Sequence, residues 1–402
     1  MTANILPVAI IGAGPIGLAA AVHLLKSGLT PIIFEAGSQV GASIQQWEHV
    51  QMFSPWSFNI DEEAAKLLAP TGWVAPQDDT YPTGRELLSH YLQPLAEVPQ
   101  IQQNLQLNSK VLAVSRSGYD LMKTNKRSQS PFLLRISNKD GEHDVLASAV
   151  IDASGTYFTP NWIGSNGLPA LNERMLKKQI TYGVPNILGN ARQRYANRRV
   201  LVVGSGHSAL NALNDLATLR HSEPNTKVFW AIRSTSPAYS PNKGDCGQLA
   251  ERDKLGLKIH NFLSQGDIEL FKGIKVDRIS SSQAGLRVHH GEQTLPVVDE
   301  IIVATGFRPN LQLLAELRLE LDPATQSPVR LAPMINPDQH SCGSVPPHGV
   351  IELSHPEEDV FIVGMKSYGR APTFLMQTGY KQVRSIALAL ASRASSHTRM
   401  LR

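Results

Sequence analysis

Cysteine is nearly missing from this sequence: 402 residues hold two, Cys246 and Cys342, far apart along the chain. That excludes a disulfide framework, and without a C-x-x-C no dithiol of the thioredoxin kind stands ready beside a cofactor. Long apolar runs are missing too. No stretch approaches the roughly 20 residues needed to span a bilayer, and the first motif begins a few residues after Met1, so neither a transmembrane segment nor a signal peptide is expected and a cytoplasmic location is. Charge of one sign is scarce: 38 Lys and Arg against 34 Asp and Glu leave a formal net charge of +4. Only the stretch from Lys123 to Arg127 is locally basic, and it reads as a solvated hairpin loop, so no nucleic-acid or membrane partner is expected. Converging thiolates are absent as well. Cys342 stands alone among His340, His348 and His355, a poor set for a soft metal, and no metal site is expected; the thiol reads as part of a loop at the mouth of a substrate or cofactor site. What remains, 42% hydrophobic and 18% charged residues, is the composition of a soluble globular protein long enough for two or three domains.

The chain does have two glycine fingerprints. The first is an apolar strand, Val8-Ala9-Ile10-Ile11, running into Gly12-Ala13-Gly14-Pro15-Ile16-Gly17, then a helix from Leu18 to Lys26 and a second strand, Pro31 to Phe34, ending at Glu35. The physical reason for such a pattern is a pyrophosphate. Gly12 and Gly14 permit a tight turn and close backbone approach, Gly17 lets helix and strand pack, and the helix start aims free N–H groups and its positive dipole end at the phosphates. A lone G-x-G-x-x-G says little. Here it follows a strand, opens a helix and is trailed by Glu35, an acid suited to a ribose hydroxyl pair or, more plainly, a strand-end surface charge.

The second fingerprint, Arg199-Val200-Leu201-Val202-Val203-Gly204-Ser205-Gly206-His207-Ser208-Ala209, opens a helix to about Leu219 and a strand from Lys227 to Ile232. It ends differently, with Ala209 in the third small position and Arg233-Ser234 where the first unit has its acid. A carboxylate would repel a 2′-phosphate and a guanidinium would bind it, so this site is expected to take NADPH, with a solvated strand-end cation as the alternative for Arg233. His207 either approaches a phosphate or caps its helix.

Between the fingerprints, Thr83-Gly84-Arg85-Glu86 is an S/T-x-x-E capping box that predicts a helix to about Glu97. Strand-like runs at Ser109 to Val114, Pro131 to Ile136 and Asp144 to Ile151 predict a small antiparallel meander. It ends in Ile151-Asp152-Ala153-Ser154-Gly155-Thr156, and a similar run, Ile301-Ile302-Val303-Ala304-Thr305-Gly306, follows the second fingerprint. The tail offers a strand, Asp359 to Val363, then Gly364 and a helix from Pro372 to about Ser392. The fold class expected is α/β with two Rossmann-like domains: residues 1–158 and 309–402 form a discontinuous domain for FAD, and residues 159–308 form an inserted domain for NADPH.

This order of motifs resembles the flavoproteins with two dinucleotide-binding domains, in their flavin-containing-monooxygenase-like and thioredoxin-reductase-like branches, over nearly the whole chain. Three stretches, Val50 to Trp56, Ser341 to Gly349 and Gly364 to Phe374, are similar to bacterial flavoproteins of arsenic-resistance operons named as flavin-binding monooxygenases. The resemblance implies FAD at Gly12, Gly14, Pro15, Gly17 and Glu35, with Gly155 and Gly364 at strand ends beside it. It implies adenine near Val111, which is otherwise a core valine, and the flavin ring near Thr373 and Phe374 at the start of the last helix. Trp47 and Trp56 either wall the cofactor or are plain core. NADPH is implied at Gly204, Ser205, Gly206, His207, Ser208, Arg233 and Gly306. Departures are as informative. The F-x-G-x-x-x-H signature of flavin-containing monooxygenases has no histidine counterpart in Phe158 to Gly164. Bacillithiol disulfide reductases carry a cysteine where Ile16 stands, and thioredoxin reductases have Gly-Asp where this chain has Gly364-Met365.

The function expected is an FAD-dependent NADPH oxidoreductase acting on a small molecule, with dioxygen as second substrate and hence a monooxygenase. The alternatives are a reductase of a small disulfide, quinone or partner protein, and a low-turnover redox-sensing or electron-transfer flavoprotein. No general acid or base stands out, and homodimer formation is left open.

Overall fold

The structure is a computed structural model that describes residues 6–235, 250–336, 345–372 and 374–400. Cys246, Cys342, His340 and Thr373 lie outside the described residues. The chain divides into two compact units, Met1–Tyr157 with Arg308–Arg402, and Phe158–Phe307. In chain order the strands are β1 (Val8–Ile11), β2 (Pro31–Phe34), β3 (Leu105–Gln106), β4 (Lys110–Arg116), β5 (Phe132–Asn138), β6 (Gly141–Ala147) and β7 (Ala149–Asp152). The second unit contributes β8 (Ile180–Tyr182), β9 (Arg199–Val203), β10 (Lys227–Ala231), β11 (Ile268–Phe271), β12 (Arg278–Ser282), β13 (Gly285–His290), β14 (Gln293–Thr294) and β15 (Glu300–Val303), and β16 (Val360–Ile362) returns to the first.

Each unit is built on the same plan. A five-stranded parallel sheet, β16-β7-β1-β2-β3 in one and β11-β10-β9-β15-β8 in the other, carries a three-stranded antiparallel meander on one face. Alternation along the central strand produces the two faces, since successive side chains point to opposite sides. Val8 and Ile10 join the core containing the fingerprint helix Pro15–Lys26 and the last helix Met376–Met400. Ala9 and Ile11 join the core under the meander, with Phe132, Leu134 and Ile136. Likewise Val200 and Val202 face the helix His207–Ser222, while Leu201 and Val203 face the second meander through Ile279, Leu286 and Val288. Strands covered on both faces read as unbroken apolar runs, which is what the sequence shows at both sites.

Three elements depart from the expectation. The box at Thr83 forms, with Thr83 Oγ1 accepting from Glu86 N and Glu86 Oε2 accepting from Thr83 N, yet the helix breaks into Gly84–Leu87, a wide π turn at Leu88–Leu92 and Gln93–Glu97. Pro94 is the cause. It has no N–H to give His90, whose carbonyl instead accepts from the Trp73 indole at 2.7 Å. The run Asp144 to Ile151 is two strands, not one: β6 ends the meander at Ala147, Ser148 N turns to the carbonyl of Pro7, and β7 enters the parallel sheet. The last helix begins at Met376 rather than at Pro372, following a 3₁₀ turn at Gly364–Tyr368. No helix among the described residues is long and apolar enough to cross a membrane.

Candidate functional site

In the first unit Ile11, Asp152 and Ile362 are in register across β1, β7 and β16, so the three strands end at one level. From β1 the chain runs to β2 on one side, while β7 and β16 fill the other. The crevice where strand order reverses is where open α/β sheets bind ligands, and Gly12 lies on it.

The three fingerprint glycines do different work. Gly12 has φ +99°, and a Cβ there would stand 2.9 Å from the Ala153 carbonyl oxygen. A Cβ on Gly17 would stand 1.9 Å from the Gly12 carbonyl oxygen, so that glycine fixes the packing of helix on turn. Gly14 meets nothing within 4 Å. It is the N-cap of the helix, Pro15 follows at the first helical position where no N–H is needed, and open space lies before the helix start. That is a cradle of the shape a diphosphate fills.

Glu35 closes one side of the cradle, its carboxylate accepting from Ala13 N and Gly37 N, each at 2.8 Å. The segment leading into β4 joins it: Ser109 N donates to the Glu35 carbonyl and Asn108 N to that of Gly37. Val111, two residues on, is buried beneath the meander, where a register shift between Val111 and Ala113 interrupts the ladder. Glu35 and the Val111 segment are therefore neighbours. Gly155, at φ +68°, faces open space, and Gly364, at φ +66°, packs where a Cβ would stand 3.2 Å from Ile16 Cγ1. Trp47 is half-buried with its ring against Gly84, on a loop tied to the fingerprint by Gly41 N donating to the Ala13 carbonyl. Trp56 is core, stacked on His90.

The second fingerprint repeats the geometry. Gly204 has φ +132° with Ala304 O 2.2 Å from a would-be Cβ, Gly206 faces open space as the helix N-cap, and Ala209 is fully buried in the third small position. His207 occupies the first helical position, directly after the N-cap Gly206. Ser205 and Ser208 are half-buried beside it, and Arg233 is exposed two residues past the end of β10. Gly306, at φ +88°, ends β15's loop; its carbonyl accepts from Asn161 N, and Asn161 Nδ2 donates to the Thr305 carbonyl at 3.1 Å. A cleft lined by Gln179, Arg194, Arg198 and Asp299 opens at the amino ends of β8, β9 and β15, the wrong edge for a ligand of this fold.

Several residues of these sites have no such role assigned from the sequence. The Trp230 indole donates to the Gly204 carbonyl at 2.7 Å and steadies the second turn. Gln382 is fully buried: its Oε1 accepts from Gly364 N at 2.8 Å, and its Nε2 donates to Ser367 Oγ and faces His348 Nε2, each at 3.0 Å. His348 Nδ1 contacts the Pro346 carbonyl at 3.0 Å, and burial holds its pKa below the ordinary imidazole range. Burial likewise raises the Tyr368 phenol, whose ring meets Phe374 edge-on at 5.1 Å. Asp152 and Lys366 form a buried ion pair at 2.6 Å. Among the described residues no three His, Cys, Asp or Glu side chains converge as a metal site would need.

Comparison with known proteins adds to this geometry. The family model for pyridine nucleotide-disulphide oxidoreductases matches residues 9–333. A flavin-containing monooxygenase of the GS-OX-like group from Arabidopsis thaliana is 25% identical over 254 residues, 57% of this chain and 50% of that protein, so the match spans half the length of that relative. Among solved structures, the bacillithiol disulfide reductase of Bacillus cereus superposes with a TM-score of 0.70 at 19% identity, covering 97% of this chain and 100% of the other. The FAD-bound cadaverine monooxygenase of desferrioxamine biosynthesis from Erwinia amylovora superposes at 0.65 with 14% identity, covering 97% and 94%.

Proposed function

The chain belongs to the pyridine nucleotide-disulphide oxidoreductase family, and from that premise we propose an FAD-dependent NADPH oxidoreductase that works as a monooxygenase on a small molecule. When bound, the two cofactors supply hydride transfer and onward electron delivery. The protein's residues supply placement. Gly12, Gly14 and the Pro15–Lys26 helix start hold the FAD diphosphate, Glu35 takes the ribose hydroxyls, and the Val111 segment borders the adenine. In the second unit Gly204, Gly206 and the helix at His207 hold the other diphosphate. The exposed Arg233 guanidinium, with no acid at that strand end, favours a 2′-phosphate and hence NADPH over NADH.

The observation that carries monooxygenation over thiol chemistry is the position of Ile16. This buried aliphatic side chain packs under Gly364 at the start of the first helix, where the disulfide reductases it resembles hold a cysteine. Electrons leaving the flavin have no thiol to enter there, which favours an acceptor other than a thiol at that position, dioxygen in this reading. A reductase of a small disulfide or quinone is the second reading, favoured by the end-to-end likeness to the Bacillus cereus enzyme. The test is to bleach the yellow protein with NADPH in the absence of air and then admit air with a panel of thioethers and amines. NADPH consumption that outruns hydrogen peroxide release, with labelled oxygen entering one of the compounds, supports monooxygenation. Turnover of a disulfide or quinone without air supports the reductase, and failure to bleach under either regime leaves a low-turnover flavoprotein.

A further inference from the structure

A lysine and an aspartate lie with side chains 0% exposed at the carboxyl end of the first sheet, Lys366 Nζ 2.6 Å from Asp152 Oδ2. Their placement is specific. Asp152 is the last residue of β7, in register between Ile11 of β1 and Ile362 of β16, and so stands at the point where strand order reverses. Its other oxygen accepts from Ser154 N at 3.0 Å and Ser154 Oγ at 2.6 Å, and Lys366 Nζ also donates to Ser154 Oγ at 3.0 Å. Ala153 and Ser154 are the residues a Cβ on Gly12 would strike, and Gly364, two positions before Lys366, lies against Ile16. The cluster therefore ties together the two loops that flank the first fingerprint.

A buried ion pair is poor value as a source of stability, since apolar residues of like volume serve as well or better. Its sign pattern has a different use here. The cradle is shaped for a diphosphate, and a carboxylate buried beside it without a countercharge would repel that ligand through a medium of low dielectric. We propose that Lys366 is a positioning residue of the FAD site that cancels the Asp152 charge at the floor of the diphosphate cradle, so that cofactor affinity depends on the sign of the charge left there and not merely on the pair being intact. Ser154 completes the arrangement by holding both partners. This rests on the FAD assignment of the first site.

The experiment measures FAD binding to deflavinated protein by quenching of flavin fluorescence, alongside thermal unfolding of the same apoproteins, for the parent, Lys366→Met, Asp152→Asn and the double variant. Uptake of FAD by the parent that is lost in Gly14→Val secures the site assignment; absence of uptake by the parent, or uptake retained in Gly14→Val, defeats that assignment and this proposal with it. Given uptake, Lys366→Met is expected to weaken FAD binding roughly tenfold or more. Asp152→Asn should bind FAD at least as tightly as the parent although its apoprotein melts lower, and the double variant should return to within a few-fold of the parent. A purely structural pair predicts something else, namely equal loss of affinity in both single variants in step with their melting temperatures, and that result overturns the proposal. Should Lys366→Met fail to fold, Asp152→Asn decides alone: parental or tighter affinity sustains the proposal, and a tenfold loss refutes it.

Discussion

Substituting valine at Gly14 and at Gly12 separates what the fingerprint does for the cofactor from what it does for the fold. Gly14 has φ −80° and ψ −174°, backbone that any residue adopts, and open space where a side chain would go. Gly14→Val therefore costs the apoprotein only the poorer N-cap, about 1 kcal/mol. The same side chain projects into the cradle and denies the diphosphate its approach to the helix start. Losing two charge-assisted hydrogen bonds at about 1.5–3 kcal/mol each amounts to about 3–6 kcal/mol, or on the order of a hundredfold to ten-thousandfold in FAD affinity. Gly12→Val behaves otherwise, because φ +99° adds about 1–2 kcal/mol of backbone strain and its Cβ meets the Ala153 carbonyl at 2.9 Å, so the fold itself suffers. The assay pairs thermal unfolding of apoprotein with flavin content after reconstitution. The expected outcome is a colourless Gly14→Val protein that melts near the parent and a Gly12→Val protein that is colourless and unstable. A Gly14→Val protein retaining stoichiometric FAD would refute the assignment of the first site.

Three further outcomes are expected. Arg233→Ala should raise KM for NADPH far more than for NADH, by about 1.5–3 kcal/mol of lost charge-assisted contact, and equal weakening of both nucleotides would move the phosphate site elsewhere. The pair Cys246→Ser and Cys342→Ser should leave turnover within a few-fold; complete loss with flavin reduction intact would mean that electrons exit through a thiol and would favour the reductase. His355 is buried, its Nδ1 accepts from Glu320 N, and burial lowers its pKa to about 4, whereas the unfolded chain titrates near 6.5. The unfolded state thus binds the proton first on acidification, so stability is lost as pH falls from about 6.5 towards 4, by about 3 kcal/mol, and His355→Asn should flatten that limb of a melting-temperature profile.

The α/β class was legible because its evidence is local: glycine spacing, apolar runs of parallel strands and the strand-to-helix order all lie within a few tens of residues. The same holds for the turns at Gly12 and Gly204, whose positive φ the motif itself demands. Legibility failed where a distant partner decides. Nothing near Lys366 announces a carboxylate 214 residues away, and nothing near Gly204 announces the Trp230 indole. The split of Asp144 to Ile151 was hidden for a related reason: both halves have β-forming residues, and only the partner strands distinguish them. At Pro94 the signal was present. A proline inside a capped helix leaves one carbonyl unclaimed, and here the claimant was Trp73.

The passage from β6 through Ser148 into β7 makes one stretch of backbone a member of two sheets. Two strands joined in this way transmit load. The meander cannot peel away without dragging at the central sheet, because the chain between Ala147 and Ala149 has a single residue of slack and that residue is itself hydrogen-bonded to Pro7. Amides from Phe132 to Asp152 should accordingly open to solvent as one cooperative block, with protection rising or falling together, so that tightening of the meander stiffens the floor of the crevice as well.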